Sequence, residues 1–338
     1  MEGLLPKRAK KVLWLAIFVA LVAGLTYFLF QQNFTPKSKV TFGVTFSQTY
    51  ATFLGLDWKA AYVAILDDLK VDHLRLTADW DVVEAQQDKF DFADLDWQLD
   101  QAAKRQASVI LVVGRRTPRW PECHDPVWLK NLAPYAIHQQ QLELVKAEVA
   151  HFRAKPAIAY WQVENEPLVG WFGDCPRADK NFLEQEITAV RSLDSRPVIV
   201  TDSGELGSWQ SAASFGDVLG VTMYRAVWNK TIGFFDYWFV PASLYYYKAE
   251  LIKIFHPKIQ DVIITELQME PWATGKAITA MTLAEQQRSF DLARFHDHIK
   301  YAQTAGFSTI YTWGVEYWYW LKTQGQSELW QAAKGLWQ

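Results

Sequence analysis

Cysteine and histidine, the residues that most often bind catalytic metals or supply nucleophiles, are scarce in this sequence. Two Cys and seven His occur among 338 residues, and the His show none of the spacings typical of metal ligands. No Gly-x-Ser-x-Gly segment is present, neither Cys lies in a thiol-protease context, and no glycine-rich loop resembles a phosphate site. These absences argue against a metalloenzyme and against Ser or Cys hydrolases, and we expect neither a metal nor a cofactor.

A basic stripe is also missing from the body of the chain. The formal charge is −3 overall, but residues 1–39 carry +5 and residues 40–338 carry −8. An acidic body without a basic stripe argues against nucleic acid as a partner.

The one long apolar run lies near the N-terminus. Residues 12–30 are uncharged and close to the length of about 20 residues that crosses a bilayer. Because four basic residues precede the run, the positive-inside rule predicts a cytoplasmic tail (1–11), a transmembrane signal anchor (12–30) and a polar linker (31–39). A cleaved signal peptide is the alternative, although its apolar core is normally shorter. Both alternatives export residues 40–338.

Residues 40–338 read as eight strands that alternate with helices. Many of the strands are continuous apolar runs, as in 108–114 and 218–224, which is typical of strands buried on both faces of an α/β fold. An open doubly wound sheet competes with a closed barrel. Eight units in about 295 residues fit an α/β (β/α)8 TIM barrel better, preceded by the one transmembrane helix.

Two of these strands run into carboxylates. Residues 160–167 (Tyr-Trp-Gln-Val-Glu-Asn-Glu-Pro) carry Glu166, and residues 262–267 carry Glu266. In a parallel barrel the carboxyl ends of the strands form the ligand-binding rim, and two facing carboxyls can break a glycosidic bond. A surface salt bridge would explain either Glu alone, but the pair favours catalysis.

Asn165-Glu166-Pro167 followed by Ile264-Thr265-Glu266 resembles clan A of the glycoside hydrolases, which are retaining (β/α)8-barrel enzymes. The resemblance implies that Glu166 is the acid/base and Glu266 the nucleophile. It also implies supporting roles at further strand ends: Arg75 beside the nucleophile, Asn165 on the sugar 2-hydroxyl, Tyr224 on the nucleophile and Trp313 as an aromatic floor. Many clan members carry His two residues before that Tyr, and this chain has Thr222.

Aromatic residues are abundant, with 17 Trp and 14 Tyr, which suits a cleft where sugar rings stack on indoles. We expect stacking platforms among tryptophans that we place in loops after strands, although core packing is the alternative for each one: Trp120, Trp171, Trp272, Trp318 and Trp320. Glu270 and Glu316 are weaker candidates for the cleft. Glu164 is expected either to point the same way as Glu166, one layer deeper, or to make structural contacts.

Cys123 and Cys175 follow the third and fourth strands, so they fall in neighbouring loops on the same face. Because an exported protein can keep disulfides, we expect a Cys123–Cys175 bond. The sequence as a whole predicts a membrane-anchored retaining glycosidase that cleaves O-glycosidic, β-linked bonds in an extracytoplasmic oligo- or polysaccharide. Two alternatives remain open, a transglycosylase with the same two glutamates and a non-catalytic carbohydrate-binding protein on the same barrel.

Overall fold

A closed barrel of parallel strands forms the centre of the molecule, as the computed structural model of the chain describes it for residues 7–36, 38–176 and 179–337. Eight strands form the barrel: β1 (Thr41–Phe46), β2 (His73–Thr77), β3 (Ser108–Val113), β4 (Ile158–Val163), β5 (Val198–Asp202), β6 (Val218–Met223), β9 (Asp261–Gln268) and β10 (Thr309–Trp313). Neighbouring strands pair in the order β1-β10-β9-β6-β5-β4-β3-β2, and all eight pairs are parallel. The predicted TIM barrel is confirmed.

Helices alternate with the strands, and those that follow β1 cover the outside of the barrel. The helices are α1 (Lys7–Phe30), α2 (Gln48–Phe53), α3 (Trp58–Asp67), α4 (Trp80–Val83), α5 (Ala93–Lys104), α6 (Pro134–Phe152), α7 (Lys180–Leu193), α8 (Gln210–Ala213), α9 (Ala242–Phe255), α10 (Leu283–Gln287), α11 (Leu292–Thr304), α12 (Val315–Thr323) and α13 (Glu328–Lys334). Short 3-10 helices occupy Val127–Asn131 and Ile278–Ala280. The main apolar core lies between these helices and the barrel strands.

A second, smaller apolar cluster fills the barrel interior. Five strands each contribute one buried side chain to it: Ile110, Ile199, Val218, Ile263 and Tyr311. Gly43 pairs with Tyr311 across β1 and β10, and a Cβ at Gly43 would lie 2.5 Å from the Tyr311 ring. Glycine at this position therefore makes room for the tyrosine inside the barrel.

Helix α1 contains a stretch, Lys10–Phe30, that is long and apolar enough to cross a membrane. The chain after it packs on the barrel. Ser243 Oγ donates a hydrogen bond to the Phe30 carbonyl at 3.1 Å, and the Phe34 ring stacks on Tyr246 with centroids 3.6 Å apart. The first six residues of the predicted cytoplasmic tail, and Lys37 in the linker, lie outside the described residues.

Two parts of the chain differ from the sequence-based expectation. The sequence Thr282-Leu-Ala-Glu285 predicts a capping box that opens one long helix. The capping box is present, but α10 ends at Gln287 and a second helix starts at Leu292, where Asp291 caps it. The sequence predicts a long aromatic loop over residues 225–243. The structure instead has an antiparallel hairpin there, formed by β7 (Ala226–Asn229) and β8 (Gly233–Asp236). Its strands are only four residues long. Because the segment is rich in aromatic residues, the alternation of apolar and polar side chains that indicates a strand cannot be recognised over so short a stretch.

Candidate active site

A bulge in β9 sets the position of Glu266. The sequence predicts that this strand ends at Glu266, but β9 continues to Gln268. The pairing register shifts beside Glu266 on both sides, because Val221 pairs with Ile264 while Thr222 already pairs with Glu266. One extra residue therefore sits in β9. Bulges of this kind re-aim side chains and are common beside active sites.

Both carboxylate oxygens of Glu266 accept a hydrogen bond. Arg75 Nη1 donates to Oε1 at 2.8 Å, and the Tyr224 hydroxyl donates to Oε2 at 2.9 Å. Arg75 is the third residue of β2 rather than its last, it is fully buried, and it also donates to Gln162 Oε1 and Asn165 Oδ1 at 2.8 and 2.7 Å. The guanidinium is therefore the counter-charge of Glu266 and ties it to the Asn165 segment.

Glu166 lies three residues after the end of β4, in a constrained loop. Its φ angle is +43° and that of Glu164 is +60°, a left-handed conformation that is uncommon for residues other than glycine and concentrated at functional sites. The Glu166 N–H donates to Thr201 Oγ1 at 2.7 Å, and the Thr222 hydroxyl lies 3.4 Å from Glu166 Oε1. Thr222 thus contacts the carboxyl from the position where many clan members have histidine.

The electrostatic surroundings of Glu166 favour its protonated form. Burial raises the pKa of Glu166 well above that of a free glutamate, and the neighbouring carboxylates of Glu266 and Glu122 raise it further. Glu266, in contrast, has a buried cation against it. Two neighbouring carboxyls in such different surroundings are suited to different chemical roles, one as proton donor and one as anion.

Glu122 is a third carboxyl at this site, and sequence reasoning missed it. It accepts a hydrogen bond from Arg116 Nε at 2.9 Å, and Asn165 Nδ2 lies 3.4 Å from both of its oxygens. Burial raises the pKa of Glu122 to about 7, with Arg116 opposing the shift and Glu266 adding to it. The only sequence signal is that Glu122 precedes Cys123, in a loop that the predicted disulfide would bring to Asn165.

Glu164 turns away from the mouth and makes structural contacts, which is one of the two expectations for it. Its two oxygens accept the backbone N–H groups of Arg115 and Arg116 at 2.7 and 2.9 Å, and Gln141 Nε2 bridges it to Glu186. Burial raises the pKa of Glu164. Its contacts fix the start of the loop that carries Glu122.

Arg119 occupies the space over Trp313. Its guanidinium lies 4.0 Å from the centre of the Trp313 ring and 3.8 Å from that of Tyr50, and it bonds to Glu270 and, at 2.8 Å, to Glu316. Both weaker acidic candidates are therefore ion-paired. Only 8 % of Trp313 is exposed, so its role as a sugar floor stays a prediction.

Comparison with solved structures places this barrel among known folds. A GH5_18 glycoside hydrolase from Bifidobacterium longum superposes with a TM-score of 0.58 at 15% identity, covering 82% of this chain and 70% of its own. A family 10 endo-β-1,4-xylanase from Gloeophyllum trabeum gives a TM-score of 0.51 at 15% identity, with 84% and 87% covered. The chain has the fold of the clan A glycoside hydrolases.

A β-galactosidase from the haloarchaeon Halorubrum lacusprofundi superposes on this chain with a TM-score of 0.55 at 12% identity. The match covers 81% of this chain, which spans about half (52%) of that protein's length. No protein-family model and no curated protein sequence matches the chain. The similarity to the clan is therefore a similarity of fold, and the chemistry of this chain depends on its own residues.

An aromatic wall extends outward from Tyr224 at this site. Successive ring centroids lie 5.4 Å apart from Tyr224 to Trp272, 5.9 Å from Trp272 to Phe172 and 6.0 Å from Phe172 to Trp120. Trp120 at the outer end is strongly exposed. Phe172 was not among the predicted platforms. Trp171 is also exposed, but Trp318 and Trp320 lie in α12 rather than in a loop, and Trp318 is fully buried.

The predicted disulfide is present and crosslinks the loops after β3 and β4. The Cα atoms of Cys123 and Cys175 lie 5.2 Å apart, and 52 residues separate them in sequence. Cys123 directly follows Glu122, so the bond fixes the loop that presents this carboxyl to Asn165.

Removing the disulfide should lower the stability of the fold and loosen the loop that carries Glu122. We expect Cys123→Ser/Cys175→Ser to lower the free energy of unfolding by about 4 kcal/mol, since the crosslink closes a long loop in the unfolded chain. Chemical unfolding of the double variant, compared with the wild type with and without reductant, measures this. Equal stability of the variant and the oxidised wild type would contradict the prediction.

Metal ligands are not assembled at this site. In residues 7–36, 38–176 and 179–337, no group of three or more His, Cys, Asp or Glu side chains is arranged to hold a metal ion. The oxygens of Glu266 accept hydrogen bonds from Arg75 and Tyr224, and the Glu166 N–H donates to Thr201.

Proposed function

We propose that this chain is a retaining glycoside hydrolase that cleaves β-linked O-glycosidic bonds in carbohydrates outside the cytoplasm. One observation carries the proposal: two carboxyls meet at the carboxyl ends of β4 and β9, and their surroundings differ. Glu166 is buried against other carboxylates, and Glu266 is ion-paired to a buried arginine. A double displacement needs one protonated and one ionised carboxyl.

In the first step the Glu266 carboxylate attacks the anomeric carbon, and the bond from that carbon to the leaving oxygen breaks. Glu166 gives its proton to the leaving oxygen, so a neutral alcohol departs and a glycosyl ester remains on Glu266. In the second step Glu166, now ionised, takes a proton from water. The water oxygen attacks the anomeric carbon, releasing the sugar with retained configuration and regenerating both carboxyls.

The supporting residues follow from the contacts of these two carboxyls. Arg75 and Tyr224 hold Glu266 in place, and each donates to a different oxygen. Asn165 would bond the sugar 2-hydroxyl through Nδ2, because that group has only long 3.4 Å contacts to Glu122 and can turn to a closer acceptor. A hydroxyl contact of this kind strengthens in the transition state.

The aromatic wall supports pyranoside binding beyond the cleavage point. Clan-fold structures with bound sugars include a GH5_18 enzyme from Streptomyces cattleya with Manβ1-4GlcNAc and a Thermotoga petrophila xylanase with xylobiose. By analogy in fold alone, we propose a β-linked oligo- or polysaccharide as substrate.

We also propose that α1 stays attached as a signal anchor, with residues 1–11 in the cytoplasm and 40–338 outside as one catalytic domain. The packing of Phe30 and Phe34 on the barrel supports retention, since a signal-peptidase site needs an accessible chain after the apolar run. The disulfide supports an oxidising compartment.

Product stereochemistry tests this function. The full chain, purified in detergent under oxidising conditions, would be given a panel of aryl β-glycosides, and the first product anomer would be read by NMR before it mutarotates. We expect the β-anomer. An α-anomer would contradict the retaining mechanism, and transfer to added sugar in preference to water would identify a transglycosylase. Binding to glycans without turnover of any substrate would favour the non-catalytic alternative.

Trp272→Ala should weaken binding of extended substrates. Loss of one stacking face costs about 1 kcal/mol, which is roughly fivefold in kcat/KM for oligosaccharides. We expect the loss to appear in KM, with kcat nearly unchanged. Tyr135→Ala serves as the control, since it removes an exposed aromatic ring outside the wall. Equal effects of the two variants would contradict a binding role for Trp272.

Glu122→Gln should move the alkaline limb of the pH–rate profile to lower pH. Activity requires protonated Glu166 and is lost as pH rises through its pKa, and the Glu122 carboxylate helps to raise that pKa. Removing this charge therefore lowers the pKa of Glu166. Glu143→Gln, an exposed carboxylate on α6, is the control and should leave the profile in place. An unmoved limb in Glu122→Gln would contradict the electrostatic role.

A further inference from the structure

Exposed apolar side chains concentrate in one part of the barrel. Fifteen large apolar residues are exposed in the described residues from 41 onward, and six of them fall within 225–255, the hairpin β7–β8 and helix α9. The six are Ile232, Trp238, Phe239, Leu251, Ile254 and Phe255. This segment is about a tenth of the barrel, so the concentration calls for a physical reason.

On α9 these side chains form one continuous face. Leu251, Ile254 and Phe255 follow the i, i+3, i+4 spacing that places residues on the same side of a helix. Tyr247, one turn before Leu251, continues the face toward the helix start. All three apolar residues point away from the barrel, and 69 % of Ile254 is exposed.

The end of the apolar helix α1 packs on this same segment. Ser243 at the start of α9 bonds to the Phe30 carbonyl, and Phe34 packs against Tyr246 and edge-on against Tyr247 at 5.4 Å. The Phe34 N–H also donates to the Thr304 carbonyl of α11 at 2.9 Å. The barrel is thus held directly at the end of α1, without a free tether between them.

The chain that follows the hairpin also lies near that junction. Phe239 is four residues before Ser243, so it is within roughly 14 Å of it even along a fully extended chain. Trp238, beside it, is 80 % exposed. Tryptophan and phenylalanine at such a position are typical of side chains that sit in the headgroup region of a bilayer.

We propose that the outer face of α9 and the exposed side chains at the two ends of β8, Ile232, Trp238 and Phe239, form a second membrane contact, which holds the barrel against the bilayer that α1 crosses. This proposal rests on the proposed anchor and is independent of catalysis. Burial of the six side chains in the interface removes their apolar surface from water. Because the hairpin follows β6 at the mouth of the barrel, this contact places one side of the mouth beside the lipid headgroups.

Site-specific fluorescence in the intact chain tests the contact. Single cysteines would be introduced as Trp238→Cys and Ile254→Cys and labelled with the environment-sensitive dye NBD, the native Cys pair being disulfide-bonded. Lys104→Cys is the matched control, because it lies in the last turn of α5 and α5 follows β2, across the barrel from β6. Leu21→Cys within α1 reports the anchor itself. Each variant would be reconstituted into phosphatidylcholine vesicles with and without nitroxide-labelled lipid.

We expect nitroxide lipid to quench the labels at 238 and 254 at least twofold more than the label at 104, and to quench the label at 21 strongly. The second contact would be overturned, and the anchor left intact, if the label at 21 is quenched but the labels at 238 and 254 are quenched no more than the label at 104. An unquenched label at 21 would overturn both. If the NBD fluorescence at 238 and 254 indicates an environment shielded from water but is not quenched by nitroxide lipid, the proposal is overturned, and a second copy of the chain covers this face instead. None of these readings depends on turnover.

Discussion

Glu266→Ala should abolish turnover, by on the order of 10⁴-fold in kcat, and azide should restore it with inverted product. Without the carboxylate no glycosyl ester can form. The space left by the side chain lies beside Arg75 and Tyr224, whose donors at 2.8 and 2.9 Å would then face a small anion. Azide bound there attacks the anomeric carbon directly, so a single displacement gives an α-glycosyl azide from a β-glycoside.

The control for this variant is Glu148, a buried glutamate of α6 that accepts the Gly114 N–H at 3.2 Å and makes no hydrogen bond to Glu166 or Glu266. Burial raises the pKa of Glu148 well above its ordinary range, and Gln has nearly the same shape as Glu, so Glu148→Gln should keep near wild-type activity. Thermal unfolding of Glu266→Ala checks that its fold survives. Activity undiminished in Glu266→Ala, or a rescued product with retained configuration, would contradict the assignment of Glu266.

Glu166→Ala should have an effect that depends on the leaving group. For substrates with poor leaving groups we expect a loss of about 10²–10⁴-fold, since the departing oxygen receives no proton. Dinitrophenyl glycosides need no such proton, so their first step should survive and the glycosyl ester on Glu266 should accumulate. Azide then attacks the ester and gives a β-glycosyl azide, with retained configuration, which distinguishes this variant from Glu266→Ala.

Glu164→Gln is the matched control, two residues away in the same loop. Its carboxylate accepts two backbone N–H groups and faces away from the mouth, so any activity lost on substitution comes from loop geometry and should not be restored by azide. Equal losses for good and poor leaving groups in Glu166→Ala would contradict its role as general acid.

Much of the fold could be predicted because its signals are local. The barrel strands are five to eight residues long, many of them are apolar runs, and helices with a regular apolar face separate them. Glu166 and Glu266 stand out because they interrupt such runs. Cys123 and Cys175 could be paired because strand order places their loops side by side, and the disulfide is confirmed.

The remaining features of the site depend on contacts between distant parts of the chain. Nothing in the apolar run of β9 indicates a bulge, because one extra residue leaves its composition unchanged. Glu122 and Arg119 lie in an irregular loop, where neither periodicity nor turn chemistry predicts where a side chain points. Arg119 therefore alters what Trp313 can do, although Trp313 itself falls at the predicted strand end.

The predicted extent of the helix that starts after Thr282 is wrong for a related reason. The Thr282 capping box is a strong start signal, but it indicates only where a helix begins and not how far it runs, and Asp291 starts a second helix nine residues later. The packing of Phe34 on Tyr246 could not be predicted from the sequence either, because a polar linker does not indicate which surface its one aromatic residue contacts.

Direct capture of the glycosyl ester tests the central claim most directly. The full chain would be incubated with a 2-deoxy-2-fluoro β-glycoside carrying a dinitrophenyl leaving group, digested and sequenced by mass spectrometry. The fluorine slows both steps and the good leaving group restores the first, so the ester accumulates. We expect one added sugar on the peptide that contains Glu266, and none in Glu266→Ala. A sugar on Glu166 or on another residue, or turnover of this reagent without any ester, would contradict the account.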